Sequence, residues 1–243
     1  MLKKLYDKSK IWFSILWIVA YCMLMSLGDY VSQIVGVKKS ITLVIGLVLT
    51  LILFLFLKKN KLFKDYGFCL PSVSCKSMLY YLPLLVMLSA NLWYGVSLNY
   101  TILETVIYIL TMLCVGFLEE TIFRGLLFEA MRKDNQKIAI IVSSVTFGIG
   151  HIINLINGSG AELLPNLLQV IYSTSAGFMF VMIYCKSKSI TACIISHGLF
   201  NSLSAFSNEA LLTTKNQIIS SILLTLITSA YAIYLVFAIK KEN

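Results

Sequence analysis

Apolar runs long enough to cross a bilayer follow one another along this chain, separated by short polar breaks. In hydrocarbon every backbone N–H and C=O must be bonded within the protein, so such runs are expected to cross as helices. Eight spans can be drawn, at about 11–35, 41–57, 77–96, 102–131, 136–156, 166–185, 190–206 and 218–239. The fourth is too long for a perpendicular span and is expected to tilt or to project beyond the membrane. No internal repeat or low-complexity segment stands out, so one transmembrane domain over 1–243 is enough. The expected fold is all-α and polytopic, with about eight transmembrane helices.

A hydrophobic share of 58% and a charged share of 13% exclude an ordinary soluble domain. The net charge of +9 could suggest nucleic acid, but the positions of the charges argue otherwise. Lys3, Lys4, Lys8 and Lys10 precede the first run, and Lys58 to Lys76 fill the gap after the second. Arg132, Lys133, Lys137, Lys186, Lys188, Lys240 and Lys241 complete alternate breaks, while the opposite ones hold only Lys38, Lys39 and Lys215. By the positive-inside rule both termini are cytoplasmic and no nucleic-acid partner is needed. The segment 61–68 mixes lysines with aromatics and is expected to lie on the membrane surface. The stretch 157–165 is expected to turn. The scattered cysteines Cys22, Cys69, Cys75, Cys114, Cys185 and Cys193 show no metal spacing and read as reduced fillers.

Within the fourth run lie Glu119, Glu120 and Arg124. A charge at mid-membrane costs roughly 3 kcal/mol on insertion scales, so three within six residues need a reason. Glu120 and Arg124 are four apart and share a helix face, where they can pair. Glu119 is rotated by about 100° from Glu120 and cannot easily use the same guanidinium. One acid thus reads as structural and the other as free. The plain alternative is a buried ion cluster that only ties helices together. Asp29, Glu104 and Glu129 lie near span ends and read as interfacial or structural.

The chain has only two histidines, and both fall in apolar runs. Phe147 and His151 are four apart on one face, as are His197 and Asn201. Along their helices Glu119, His151, His197 and Asn201 lie roughly 18, 22, 10 and 17 Å from the cytoplasmic ends, so they can meet in one layer. Gly116, Gly125, Gly148, Gly150 and Gly198 would let these helices approach closely. Glutamate and histidine can hold and deprotonate a water, and histidine and asparagine can donate to a developing oxyanion. That set suits a hydrolase of an amide or ester. No serine or cysteine is an obvious nucleophile, since Ser196 projects about 100° away from His197. Glu119, His151 and His197 could instead hold zinc, although the HExxH pattern is absent.

Three motifs can now be written: EExxxR at Glu119, Glu120 and Arg124, FxxxH at Phe147 and His151, and HxxxN at His197 and Asn201. In this order, in successive apolar runs, they resemble the CPBP family, the CAAX prenyl protease 2 and bacteriocin-processing membrane proteases, also called Abi. The resemblance covers 102–206, which would be the catalytic core. It implies an eight-helix intramembrane protease whose cavity opens to the cytosol. It further implies that Glu119 activates water with His151, and that His197 and Asn201 stabilise the oxyanion. Glu120 and Arg124, with Phe147, would order the site. No cofactor is required in the favoured reading; zinc at Glu119, His151 and His197 stays open. Lysine-rich usage and a compact chain suggest a bacterial cytoplasmic membrane, with a peptide or membrane-protein substrate and the lipid bilayer as partners. Peptide maturation, pheromone processing or bacteriocin self-immunity are the expected settings. The alternatives are a non-catalytic scaffold or immunity protein that sequesters a partner, and a proton-coupled carrier. The carrier would want repeats and broken helices, whereas prolines are only Pro71, Pro83 and Pro165.

Overall fold

A computed structural model describes residues 2–157 and 162–238. The centre of the turn expected at 157–165, and Lys240 and Lys241, lie outside the described residues. Among the described residues the chain is helical, with one isolated bridge between Val96 and Ser207 and no strand. The helices are α1 (Leu2–Lys8), α2 (Lys10–Val35), α3 (Ser40–Lys59), α4 (Leu82–Ser89), α5 (Ile102–Glu120), α6 (Glu129–Met131), α7 (Gln136–Gly150), α8 (Leu163–Ser187), α9 (Thr191–Leu203) and α10 (Thr214–Ala238). A π-helical segment, Thr121–Phe128, joins α5 to α6 without a break.

Local chemistry sets several of these ends. Ser9 and Asn135 accept backbone N–H groups at the starts of α2 and α7. Thr101 and Glu104 form a reciprocal capping box at the start of α5. Gly36, at φ 77°, closes α2 in the left-handed conformation that glycine adopts without penalty.

Six helical stretches are long and apolar enough to cross a membrane: Lys10–Val35, Ser40–Lys59, Ile102–Met131, Gln136–Leu155, Leu163–Ser187 and Thr214–Phe237. Large apolar side chains such as Met23, Leu51, Leu226 and Ile233 point outward from them, as lipid requires. The protein is a multi-pass membrane protein. The other two drawn spans are shorter than expected. The one at 77–96 becomes an apolar helix of Leu79–Leu92, entered through Leu79, Tyr80 and Tyr81 at φ 49°, 51° and 56°. The one at 190–206 becomes α9, whose 13 residues reach roughly 20 Å at 1.5 Å each, short of a ~30 Å hydrocarbon core.

Hydrogen bonds between the connections sort the helix ends onto two faces. One carries α1, the 60–78 connection, the 132–135 turn and the α8–α9 turn. Bonds from Ser72 N–H to the Ser187 carbonyl (2.8 Å) and from Ile190 N–H to the Gly67 carbonyl (2.9 Å) tie it together. The other carries the α2–α3 turn, the 93–101 connection and the start of α10. There the Asn99 amide donates to the Ser207 carbonyl (2.8 Å) and the Lys38 N–H to Glu104 (3.2 Å).

Within the 60–78 connection, the segment 61–68 packs part of its apolar side chains into the protein. Leu62 and Tyr66 are buried with Phe13, Phe56, Leu118 and Leu126 in the main apolar cluster, while Lys61, Lys64 and Asp65 face outward. Tyr66 and Tyr6 share a hydrogen bond of 2.7 Å between their hydroxyls. The reason is a partner that the sequence does not display: the Tyr66 side chain lies 3.7 Å from where a Cβ on Gly125 would stand, under the π segment.

Two crossings fix the layer that holds the polar groups. A Cβ on Gly116 would come within 2.6 Å of Gly198 backbone, so α5 and α9 touch main chain to main chain. A Cβ on Gly148 would sit 2.8 Å from the Thr174 Cα and closer still to its hydroxyl, which sets α7 against α8. Gly150 meets nothing within 4 Å and Gly125 has only ordinary contacts, so these two do not serve close approach.

Candidate active site

Glu119 and Glu120 end the α-helical part of the long helix, and Arg124 lies in the π segment that follows. All three are buried, the last two completely. The wider π turn frees backbone groups from the usual ladder. The Phe123 carbonyl accepts from the Ser143 hydroxyl of α7 at 2.8 Å. π turns of this kind often mark functional sites.

The two adjacent carboxylates have different partners, as their spacing suggested. Glu120 Oε1 accepts from Arg124 Nη1 at 3.1 Å and lies 2.8 Å from His197 Nδ1. Arg124 Nη2 also donates to the Gly177 carbonyl at 3.4 Å, and its guanidinium stands 4.2 Å from the centroid of Phe147. Planar stacking and a forked charge explain arginine here rather than lysine. Glu119 instead accepts from the Tyr21 hydroxyl of α2 on Oε1, at 2.5 Å. Its Oε2 has no hydrogen-bond partner and faces His197 Nε2 at 3.5 Å. The His197 ring therefore spans the two acids, pinned at Nδ1 and open at Nε2.

Phe147 is the packing hub. Its ring meets those of His151, His197 and Phe123 edge-on, with centroids 5.5, 5.6 and 5.4 Å away. Phe180 of α8 stacks on the other side of His197 at 5.7 Å. The FxxxH spacing thus has a physical sense, since one aromatic ring fixes both histidines and the guanidinium. His151 begins a short 3-10 turn that continues α7, and its carbonyl accepts from Asn166 Nδ2 at 2.8 Å.

A cavity of about 360 Å³ lies over Glu119. Glu119, Tyr21, Phe123, His151 and Asn201 line its inner part, while Asp29, Lys39 and Asn157 lie toward the α2–α3 turn and the end of α7. His197 and Asn201 line a small adjoining cavity together with Phe147 and His151. All seven residues singled out from the sequence therefore lie in one layer. Glu120 and Arg124 sit behind it, without access to the large cavity. The cavity reaches the face opposite α1, not the lysine-rich face. Beneath the site the packed Leu62, Tyr66, Leu118 and Leu126 close that route.

Tyr21, Phe180 and Asn166 were missed by the sequence reading. Tyrosine is common in this chain, so nothing local marks position 21. The Ser196 hydroxyl is spent on the Ala192 carbonyl at 2.6 Å, in keeping with its exclusion as a nucleophile. All six cysteines are free thiols. Asp29 pairs with Lys39 at 2.8 Å and Glu129 with Arg132 at 2.9 Å, near the helix ends where they were read as interfacial. Among the described residues no three His, Cys, Asp or Glu side chains gather closely enough to hold one metal ion. Glu119, His151 and His197 do not form a ready zinc cradle.

Comparison with known proteins bears on the same stretch. Residues 101–203 match the family model described as type II CAAX prenyl endopeptidase Rce1-like. A curated protein of Bacillus subtilis (strain 168), named "Putative membrane peptidase YdiL", is 34% identical over 85 residues, which take in 35% of this chain and 30% of that protein. The stretch matched by the family model spans all three motifs, and the chain covers less than a third of the length of the curated relative.

Proposed function

We propose that the protein is an intramembrane endopeptidase that cuts a peptide bond in a peptide or membrane-protein substrate. One observation carries this reading. A buried carboxylate oxygen, Glu119 Oε2, is left without a partner at the floor of a cavity, beside a histidine nitrogen and within the wall that holds His151 and Asn201. Burying an unpaired acceptor costs about 1–3 kcal/mol, more for a charge, so a ligand at that atom is favoured.

Glu119, assisted by His151, takes a proton from a water molecule, and the water oxygen bonds to the carbonyl carbon of the substrate. The carbonyl electron pair moves to its oxygen, which His197 and the Asn201 amide stabilise. Collapse of this adduct breaks the C–N bond, and the proton held by Glu119 passes to the leaving nitrogen. Tyr21 fixes Glu119 by its other oxygen. Glu120, held by Arg124, fixes the His197 ring. No step runs through a metal.

In this reading the chain is one transmembrane domain over 1–243 with its catalytic core at 102–206. It crosses a bacterial cytoplasmic membrane eight times with both termini inside, the two short helices completing the count. Peptide maturation, pheromone processing or bacteriocin self-immunity would be its setting. The test is comparative peptidomics of cells with wild type or Glu119→Gln at matched membrane levels. Fragments present only with wild type are expected. Identical peptide profiles, with the biological phenotype kept by Glu119→Gln, would support a scaffold that sequesters a partner. Chelator is expected to leave cleavage unchanged; loss that zinc restores would return Glu119, His151 and His197 to the zinc reading.

A further inference from the structure

We propose that a further polar cavity beside the one over Glu119 is a specificity subsite, and that it takes a neutral, hydrogen-bond-donating side chain of the substrate: Ser, Thr, Asn or Gln. This rests on the protease reading of Glu119 given above.

The cavity measures about 310 Å³ and lies among α8, α9 and α10. Four of its residues, Asn91, Gln169, Tyr172 and Phe200, also line the Glu119 cavity, so the two spaces share a wall. A bond of 2.6 Å from the Asn91 amide to the Phe200 carbonyl fixes part of that wall. An extended polypeptide sends alternate side chains to the same side. One lying over Glu119 can put a side chain past the shared wall while its backbone stays at the carboxylate.

Two buried oxygens set the chemistry. Asn166, only 1% exposed, stands in the first turn of α8, and Gln217 in the first turn of α10. Each spends its amide N–H on a main-chain carbonyl: Asn166 Nδ2 on that of His151 at 2.8 Å, and Gln217 Nε2 on that of Leu212 at 3.0 Å. These bonds decide which way the amides face, since turning either one round would set oxygen against oxygen. Asn166 Oδ1 and Gln217 Oε1 are then left buried with no hydrogen-bond partner among the described residues. Both residues line this cavity. An unmet buried acceptor is costly, so a group that brings an N–H or O–H is favoured over one that does not.

Charge narrows the choice. Among the described residues no Asp, Glu, Lys, Arg or His lines the cavity. A Lys or Arg side chain would be buried there without a counter-ion, and an Asp or Glu would set its own oxygens against these two. Leu168, Leu212 and Leu224 give the apolar part of a small side chain something to pack on. Because Asn166 also holds the His151 carbonyl, the subsite is tied to the catalytic layer.

The full chain in detergent is incubated with a proteome-derived peptide library, and the cut sites are read by mass spectrometry. Wild type is expected to show one position, at a fixed distance from the cut bond, enriched about tenfold in Ser, Thr, Asn or Gln. Gln217→Leu should abolish that enrichment. Gln217→Glu should move it toward Lys and Arg, a gain that misfolding cannot imitate. Cut sites with no position favouring neutral donors, or an unchanged preference in either variant, overturn the inference. A second arm needs no cleavage. The same library is passed over immobilised Glu119→Gln protein, with and without Gln217→Leu, and the retained peptides are sequenced. Retention of peptides rich in these residues, removed by Gln217→Leu, supports the subsite even where wild type cuts nothing, and then the protease reading alone fails. Cleavage that Glu119→Gln abolishes, without the preference, sinks the subsite and leaves the protease reading standing. Neither cleavage nor selective retention overturns both.

Discussion

Glu119 and Glu120 are neighbours in the chain, yet they belong to different kinds of surroundings. On the Glu120 side opposite charges meet: Arg124 reaches the carboxylate and the Gly177 carbonyl, His197 Nδ1 meets the same carboxylate oxygen, and the guanidinium lies on the face of Phe147; Glu120 Oε2 and Arg124 Nε, which have no hydrogen-bond partner, stay buried behind them. On the Glu119 side one oxygen is held by Tyr21 and the other is left open beside a cavity. The first arrangement gives a buried charge its opposite, which is what stability asks. The second withholds pairing at one atom, which is what a reacting group needs. A single helical step of about 100° separates them.

This contrast can be broken by substitution. Arg124→Ala should have the largest effect on the folded protein, because it strands Glu120 uncompensated; about 3–5 kcal/mol of stability should go, read by thermal unfolding in detergent. Arg124→Lys should rescue it poorly, since the fork and the ring contact are lost. Glu119→Gln should leave unfolding close to wild type and lower cleavage by about 10²–10⁴-fold. If Glu119→Gln unfolds the protein as Arg124→Ala does, the two acids are one structural cluster and the contrast is wrong. Tyr21→Phe should sharpen it with a smaller effect. Losing one hydrogen bond to a charged group is worth about 1.5–3 kcal/mol, so cleavage should fall roughly ten- to a hundredfold with little change in unfolding. The chelator experiment has the smallest expected effect, none.

The split between the two acids was legible because spacing alone separates helix faces. The layer of Glu119, His151, His197 and Asn201 was legible because rise per residue turns positions into depths. The π segment was not. Nothing in Thr121–Phe128 marks it, and its loosened Phe123 carbonyl is satisfied from another helix, by Ser143. Tyr21 stayed hidden for the same reason, lying 98 residues away from its partner. The main-chain contact of α9 with α5 at Gly116 was hidden too, because composition shows it only as a small residue. That Leu62 and Tyr66 of the segment 61–68 pack under the site was not legible, because their partners lie on distant elements.

The apolar cluster beneath Thr121–Phe128 also has an electrical consequence. Water filling the cavity over Glu119 would carry the conductive phase down to that residue, and the transmembrane voltage would then drop across the packed Leu62, Tyr66, Leu126 and their neighbours. A charge carried across that layer exchanges about 2.3 kcal/mol per 100 mV. The paired Glu120 and Arg124 stand at its edge, so their pairing is held in a field steeper than an ordinary transmembrane helix experiences.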